Sequence, residues 1–210
     1  MEPPGGSLRK APRVFIAGRA FRRLKLYIDL CPFEVGGLGR VEPLGDDLLV
    51  VETFLLRQRA SNSDTELDSQ AVLDHLLRCA QEGGDLSSLR VWWHSHAEGD
   101  IHWSVTDEQT IETMQIDQLV SIVGNKRHEF GCRLDRFSPG RNTLYQLPLI
   151  PIPEDQGDDD ASLEREIMAE LREKVTLIVR ETPIEHELVL DPSNTVEFEI
   201  PFQEDRPPTA

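Results

Sequence analysis

The segment Val91-Trp92-Trp93-His94-Ser95-His96-Ala97-Glu98-Gly99-Asp100-Ile101-His102-Trp103-Ser104-Val105-Thr106-Asp107 limits the fold of this chain most tightly, because it asks for a strand, a turn and a helix start in succession. Leu89 to Ser95 is rich in β-formers and contains neither Gly nor Pro, which predicts an extended strand. Side chains alternate across a strand, so His94 and His96 leave from one face with Trp92 beside them. Gly99 permits a change of direction. Ser104 then has N-cap chemistry ahead of Asp107-Glu108-Gln109-Thr110-Ile111-Glu112-Thr113-Met114, where Ile111, Met114 and Leu119 predict an amphipathic helix. Asp107 falls in its first turn, where the partial positive charge of the helix end favours an ionised carboxylate.

Two imidazoles and one carboxylate leave a fourth tetrahedral position for water, the arrangement of a catalytic rather than a structural zinc. Water on such an ion has a pKa of about 7, so a hydroxide nucleophile is available near neutral pH. On spacing alone, the competing reading is a pair of core histidines beside a helix cap. His102 lies inside the gap between His96 and Ser104 and reads as a packing or rim residue. Ser95 lies on the opposite strand face with no base partner, so a Ser-His nucleophile is not indicated.

His94-x-His96, seven residues, then Ser104-x-x-Asp107 resembles the JAMM (JAB, MPN+) metalloproteases, whose pattern adds an upstream Glu. The Trp-Trp-His-Ser-His and Trp-Ser-x-Thr-Asp stretches are similar to the prokaryotic branch. The resemblance spans about residues 12 to 150. It implies an α/β (α+β) fold with a curved mixed β-sheet flanked by helices, and one Zn²⁺ held by His94, His96 and Asp107. The best match to the upstream Glu is Glu34, in Pro32-Phe33-Glu34-Val35-Gly36-Gly37-Leu38-Gly39, which the resemblance makes the general base. The glycines behind it would let the backbone turn tightly into the next strand. Glu42 and Glu52 compete for that role, and each is more simply an outward strand residue. Ser104 is expected to cap the helix, and the resemblance adds a second duty, donating its proton to the developing oxyanion.

The activity implied is hydrolysis of the bond after the Gly-ended tail of a ubiquitin-like protein, in deconjugation or precursor processing. Activating and conjugating enzymes of the same pathway are the further partners implied. Two alternatives accompany it: a sulfur-carrier processing peptidase, and a non-catalytic scaffold of the wider fold, against which the intact ligand set argues. The loop Arg57 to Thr65 is one candidate wall for an extended tail adding a strand near the site.

The remaining sequence bounds the setting. A formal charge of −16 over 210 residues opposes nucleic-acid binding. The one basic cluster, Arg19, Arg22, Arg23 and Lys25, reads as the solvated face of a helix. No apolar run approaches a membrane span, and Met1 to Ser7 does not look like a signal peptide, so a cytoplasmic protein is expected. Cys31, Cys79 and Cys132 are odd in number and widely spaced, which indicates neither a disulfide framework nor a thiolate metal site.

Composition and the extent of the resemblance together give four segments: a flexible tail over 1–11, the domain that the resemblance makes catalytic over 12–150, an acidic linker over 151–160, and a C-terminal amphipathic helix and β extension over 161–210. Within the domain, strands are expected at Arg13–Ala17, 37–42, 48–56, 119–124, 128–137 and 143–149, with a first helix over 20–30. A capping box of Ser63 and Glu66 predicts a second helix from Glu66 to about Gln81, with Leu67, Val72, Leu73, Leu76 and Leu77 as its apolar face. Leu163, Ile167, Leu171 and Val175 recur every fourth position. That stripe must dock on the domain, pair two subunits or receive a partner.

Overall fold

A computed structural model describes residues 10–114, 116–153 and 160–178. The chain opens with strand β1 (Val14–Ala17) and helix α1 (Gly18–Leu30), whose buried Ala20, Leu24, Tyr27 and Ile28 fall on one helical face. Strands β2 (Gly36–Leu44) and β3 (Asp47–Leu55) form an antiparallel hairpin. Its turn uses Gly45 at φ 62°, a conformation that glycine adopts without strain. A short hairpin of β4 (Gln58–Ala60) and β5 (Thr65–Leu67) follows, and then helix α2 (Ser69–Gln81).

Strand β6 (Val91–Ser95) leads through helix α3 (Val105–Met114) to β7 (Gln118–Gly124), which runs parallel to β6. Strands β8 (Phe130–Arg136), β9 (Asn142–Leu144) and β10 (Leu149–Ile152), helix α4 (Asp160–Lys174) and strand β11 (Val175–Leu177) complete the order. Eight strands form one curled mixed sheet in the order β10-β1-β3-β2-β6-β7-β8-β9, and β11-β4-β5 form a small second sheet. The fold is the α/β arrangement expected, a mixed sheet flanked by helices.

Alternation along β6 divides the interior. Val91 and Trp93 face the main core, where the Trp93 ring stacks on Tyr27 of α1 at 5.3 Å. Trp92 faces the other way, into a smaller cluster with Ile111 of α3 and Leu119. The histidine strand therefore lies at the centre of the sheet, with α1 behind it and α3 in front. Parallel strands joined through a helix place that helix's start at the carboxyl end of the first strand, where α/β sheets bind ligands.

Four expectations need correction. Glu66 belongs to β5, and α2 begins only after Asp68, whose side chain accepts the Ala71 N–H at 2.7 Å. The Ser63–Glu66 box loses because 65–67 pairs with β4 and because Asp68 is itself a good cap. Leu73 and Leu77 are exposed, and α2 buries Ala71 and Cys79 instead. The strand expected over 143–149 is two strands at opposite edges of the sheet: β9 pairs with β8, and β10 with β1. Gln146, at φ 54°, breaks the extended run between them, and Pro148 has no N–H to donate to a ladder. Pro151 and Ile152, expected in the linker, are the last two residues of β10.

Leu163, Ile167, Leu171 and Val175 are buried in the same core as α1 and β1. Arg23 of α1 donates to Glu166 at 2.5 Å and to Glu170 at 2.6 Å, and Tyr27 Oη donates to Glu170 at 2.7 Å. Of the three fates open to the stripe, docking on its own domain is the one the chain takes. Parts of the expected tail (1–9), linker (154–159) and extension (179–210) lie outside the described residues.

Candidate metal centre

His94 leaves one face of β6, and His96 continues that alternation past its last residue, Ser95. His94 is enclosed: its ring stacks on Trp92 at 4.4 Å and meets the edge of Trp103 at 5.8 Å. His96 sits just beyond the strand, its N–H bonded to the Gly124 carbonyl at 2.9 Å. Its Nδ1 lies 2.9 Å from the Asp100 carbonyl oxygen. A carbonyl only accepts, so Nδ1 carries the proton and Nε2 keeps its lone pair.

Asp107 comes from the first turn of α3. Ser104 Oγ accepts the Asp107 N–H at 3.1 Å, while Asp107 Oδ2 accepts the Ser104 N–H at 2.6 Å. This reciprocal cap turns the Ser-x-x-Asp spacing into a fixed carboxylate.

The three groups converge. His94 Nε2 is 3.2 Å from His96 Nε2 and 3.2 Å from Asp107 Oδ1, and His96 Nε2 is 3.6 Å from Asp107 Oδ2. Among the described residues this is the cluster able to hold a metal ion. Ligand atoms at about 2.0–2.1 Å from a tetrahedral ion stand roughly 3.3 Å apart, so the edges of this triangle fit one cation. The electrostatics agree at His94, whereas Asp107 and the Asp100 carbonyl push the His96 imidazolium pKa up in the metal-free chain. Burial pushes the His94 imidazolium pKa down, which favours the neutral ring that a metal needs. Burial alone would raise Asp107, but the neighbouring His94 and His96 and the hydrogen bond from the Ser104 N–H outweigh it and hold the carboxyl far below its usual range.

Glu34 arrives from a distant segment. It lines the same cleft, of about 220 Å³, as His94, His96, Ser104 and Asp107. Its backbone N–H bonds to Ser61 O at 3.0 Å. Next to it, Val35 N–H donates to Ser95 Oγ at 2.9 Å, and Ser95 N–H returns a bond to Val35 O at 2.8 Å. Gln58 clamps Gly36 on both sides, accepting its N–H at 2.8 Å and donating to its carbonyl at 2.7 Å. Gly36 and Gly37 are residues of β2 rather than of a turn. A Cβ on Gly37 would stand 2.2 Å from Phe54 O, so close approach is what demands glycine there.

The Glu34 carboxyl is raised from an ordinary 4.5 to about 7. Burial drives the rise, His96 opposes it, and Asp107 and Asp64 add to it. Between those values the folded protein holds a proton that the unfolded chain has released, so stability falls as pH rises through the interval. With metal removed, the melting temperature of the native chain is expected to drop more between about pH 5 and about pH 7.5 than that of Glu34→Gln. Identical pH dependence in the two would contradict the buried placement.

The other candidates sort clearly. Glu42 is exposed on β2, and Glu52 is exposed and paired with Arg40 at 3.2 Å; neither lines the cleft. His102 does line it, with Nδ1 bonded to Asp100 O at 3.0 Å, so it is a rim residue. Cys31, Cys79 and Cys132 are buried free thiols. Sequence reasoning missed Ser95 and Gln58 as holders of Glu34, because each acts through a backbone group remote in sequence. It also missed Arg133, a fully buried guanidinium bonded to Asp135 at 2.8 Å and to Glu108, the neighbour of Asp107. Arg133 lies over the Trp103 ring at 4.7 Å.

No protein-family model matches this chain, and no curated protein is similar to it in sequence. Among solved structures it is similar to the solution structure of protein DSY2949 from Desulfitobacterium hafniense. The identity is 14%, with 67% of this chain and 94% of that chain covered and a TM-score of 0.47. No helix among the described residues is long and apolar enough to cross a membrane.

Proposed function

We propose that this chain is a zinc-dependent peptidase or isopeptidase of the JAMM type, cleaving the bond that follows the Gly-ended tail of a ubiquitin-like protein. The observation that carries the reading is the meeting of Glu34, from the start of the chain, with His94, His96 and Asp107 in one cleft. His94, His96 and Asp107 would hold the ion, and two imidazoles with one carboxylate and no thiolate suit a catalytic zinc. Bound there, zinc supplies a Lewis acid for a carbonyl and a lowered pKa for water.

The chain's own residues supply the rest. Glu34 takes a proton from the attacking water and returns it to the departing amine as the carbon–nitrogen bond breaks. In the metal-free chain burial raises this carboxyl, the direction that favours holding a proton to return to the amine. The Ser104 oxygen accepts the Asp107 N–H, which leaves its proton to donate to the oxygen of the tetrahedral adduct. Trp92 and Trp103 shield His94 from water and keep its ring in place.

Ser63, Asp64 and Thr65 form one wall of the cleft, and β5 is an outer strand of the small sheet. An extended tail would lie against this edge by backbone pairing. Replacing Asn62-Ser63-Asp64 by three glycines is expected to raise KM several-fold with metal content retained; an unchanged KM would remove this wall from the account. The activity itself is tested by offering the zinc-loaded protein a ubiquitin-like protein extended past its terminal Gly, and the same protein linked to a lysine. Mass spectrometry should show release at the Gly carbonyl that is lost on chelation. Failure to cleave either substrate would overturn the peptidase reading.

A further inference from the structure

We propose that Arg127, with Asn125, is a positioning residue for the metal centre: it fixes the loop after His96 so that His96 presents Nε2 to the ion. This rests on the metal-binding part of the preceding reading and not on its peptidase part. The residue that sets the His96 tautomer is Asp100, through its carbonyl, and Asp100 sits in an irregular loop rather than in a strand or helix. The loop begins at Ala97 with φ 41°, a left-handed conformation disfavoured for alanine, so something outside it must hold it.

The turn between β7 and β8 does so. Lys126 N–H donates to Ala97 O at 2.9 Å, and the fully buried Asn125 donates from Nδ2 to Gly99 O at 3.0 Å. The Arg127 guanidinium spans three successive residues: it donates to Glu98 O at 2.9 Å, Gly99 O at 3.2 Å and Asp100 Oδ1 at 2.8 Å. Arg127 is itself oriented, with its Nε bonded to Glu129 at 3.1 Å and its backbone N–H to Asn125 Oδ1 at 3.1 Å. A planar fork meeting several acceptors at once is a task that a lysine ammonium performs poorly. Exposed ion pairs of this kind add little to global stability, so the clasp is better explained by what it holds. What it holds is Asp100, whose carbonyl is the outer partner of His96, and loss of such a partner typically costs about 10–100-fold in metal affinity.

The test is competitive titration with Zn²⁺, plus the visible spectrum of the Co²⁺-loaded protein. Arg127→Ala is expected to weaken zinc binding about 10–100-fold and to change the cobalt bands, with a melting temperature close to that of the native chain. Arg127→Lys should restore only part of the affinity. Arg13→Ala, which removes an exposed pair with Asp47 at 2.6 Å where β1 and β3 begin, should leave affinity and spectrum unchanged. Native affinity in Arg127→Ala, or an equal loss in Arg13→Ala, overturns the proposal. A native chain that binds no zinc removes the metal site and this inference together. Normal zinc affinities without hydrolysis would count against the peptidase alone.

Discussion

Replacing Asp107 with Ala is expected to abolish both metal retention and hydrolysis. The carboxylate closes the triangle begun by the two Nε2 atoms, 3.2 Å from one and 3.6 Å from the other. Without it, two imidazoles 3.2 Å apart remain, with nothing to balance the charge of a divalent cation. Zinc affinity should fall by well over about 100-fold, beyond the range that loss of an outer partner produces. The substitution also removes the acceptor for the Ser104 N–H, which costs about 1 kcal/mol of helix capping. Asp107→Asn separates the two effects, since its amide oxygen can still accept that bond while the charge is lost. Zinc titration and melting curves of both variants check the point. Retention of native zinc affinity in Asp107→Ala would mean that the ion, if any, sits elsewhere.

Replacing Glu34 with Gln should split what Asp107→Ala removes together. Glu34 lines the cleft but is not one of the converging ligands, so zinc content should be kept. Gln has the same shape and cannot carry a proton between water and amine. The rate of hydrolysis should therefore fall by about 10²–10⁴, mostly in kcat, with KM little changed. A variant retaining a tenth or more of native activity would displace Glu34 from the role of base. Loss of zinc in the same variant would make Glu34 a ligand instead.

The contrast between these two residues shows what was legible in the sequence. His94, His96 and Asp107 lie on a strand, a turn and a helix start that follow one another directly, so alternation and capping rules were enough to bring them together. Glu34 could be picked out only by resemblance, because no local rule connects it to β6. The bonds that deliver it, such as Val35 to Ser95 across 60 residues, are between groups any sequence contains. Ser95 lies on the strand face away from His94, as alternation predicts, and that face is where it grips the segment carrying Glu34.

Competition between local signals accounts for other differences. Ser63 and Glu66 have the spacing of a capping box, but Asp68 caps the helix and 65–67 pairs as a strand, a tertiary outcome that spacing cannot weigh. Leu73 and Leu77 have the period of a buried stripe and stay exposed, since α2 lies with Ala71 and Cys79 inward. Arg133 was invisible for a different reason: charged residues are rarely buried without partners, and its partners Asp135 and Glu108 sit on a strand and a helix whose contact only the fold defines.

One ion shared by His94, His96 and Asp107 is the claim on which the chemistry depends. Metal analysis of the native chain after zinc loading and desalting, alongside Asp107→Ala treated identically, tests it directly. The account predicts about one zinc per native chain and almost none in the variant. Zinc absent from both, or equal in both, would contradict it.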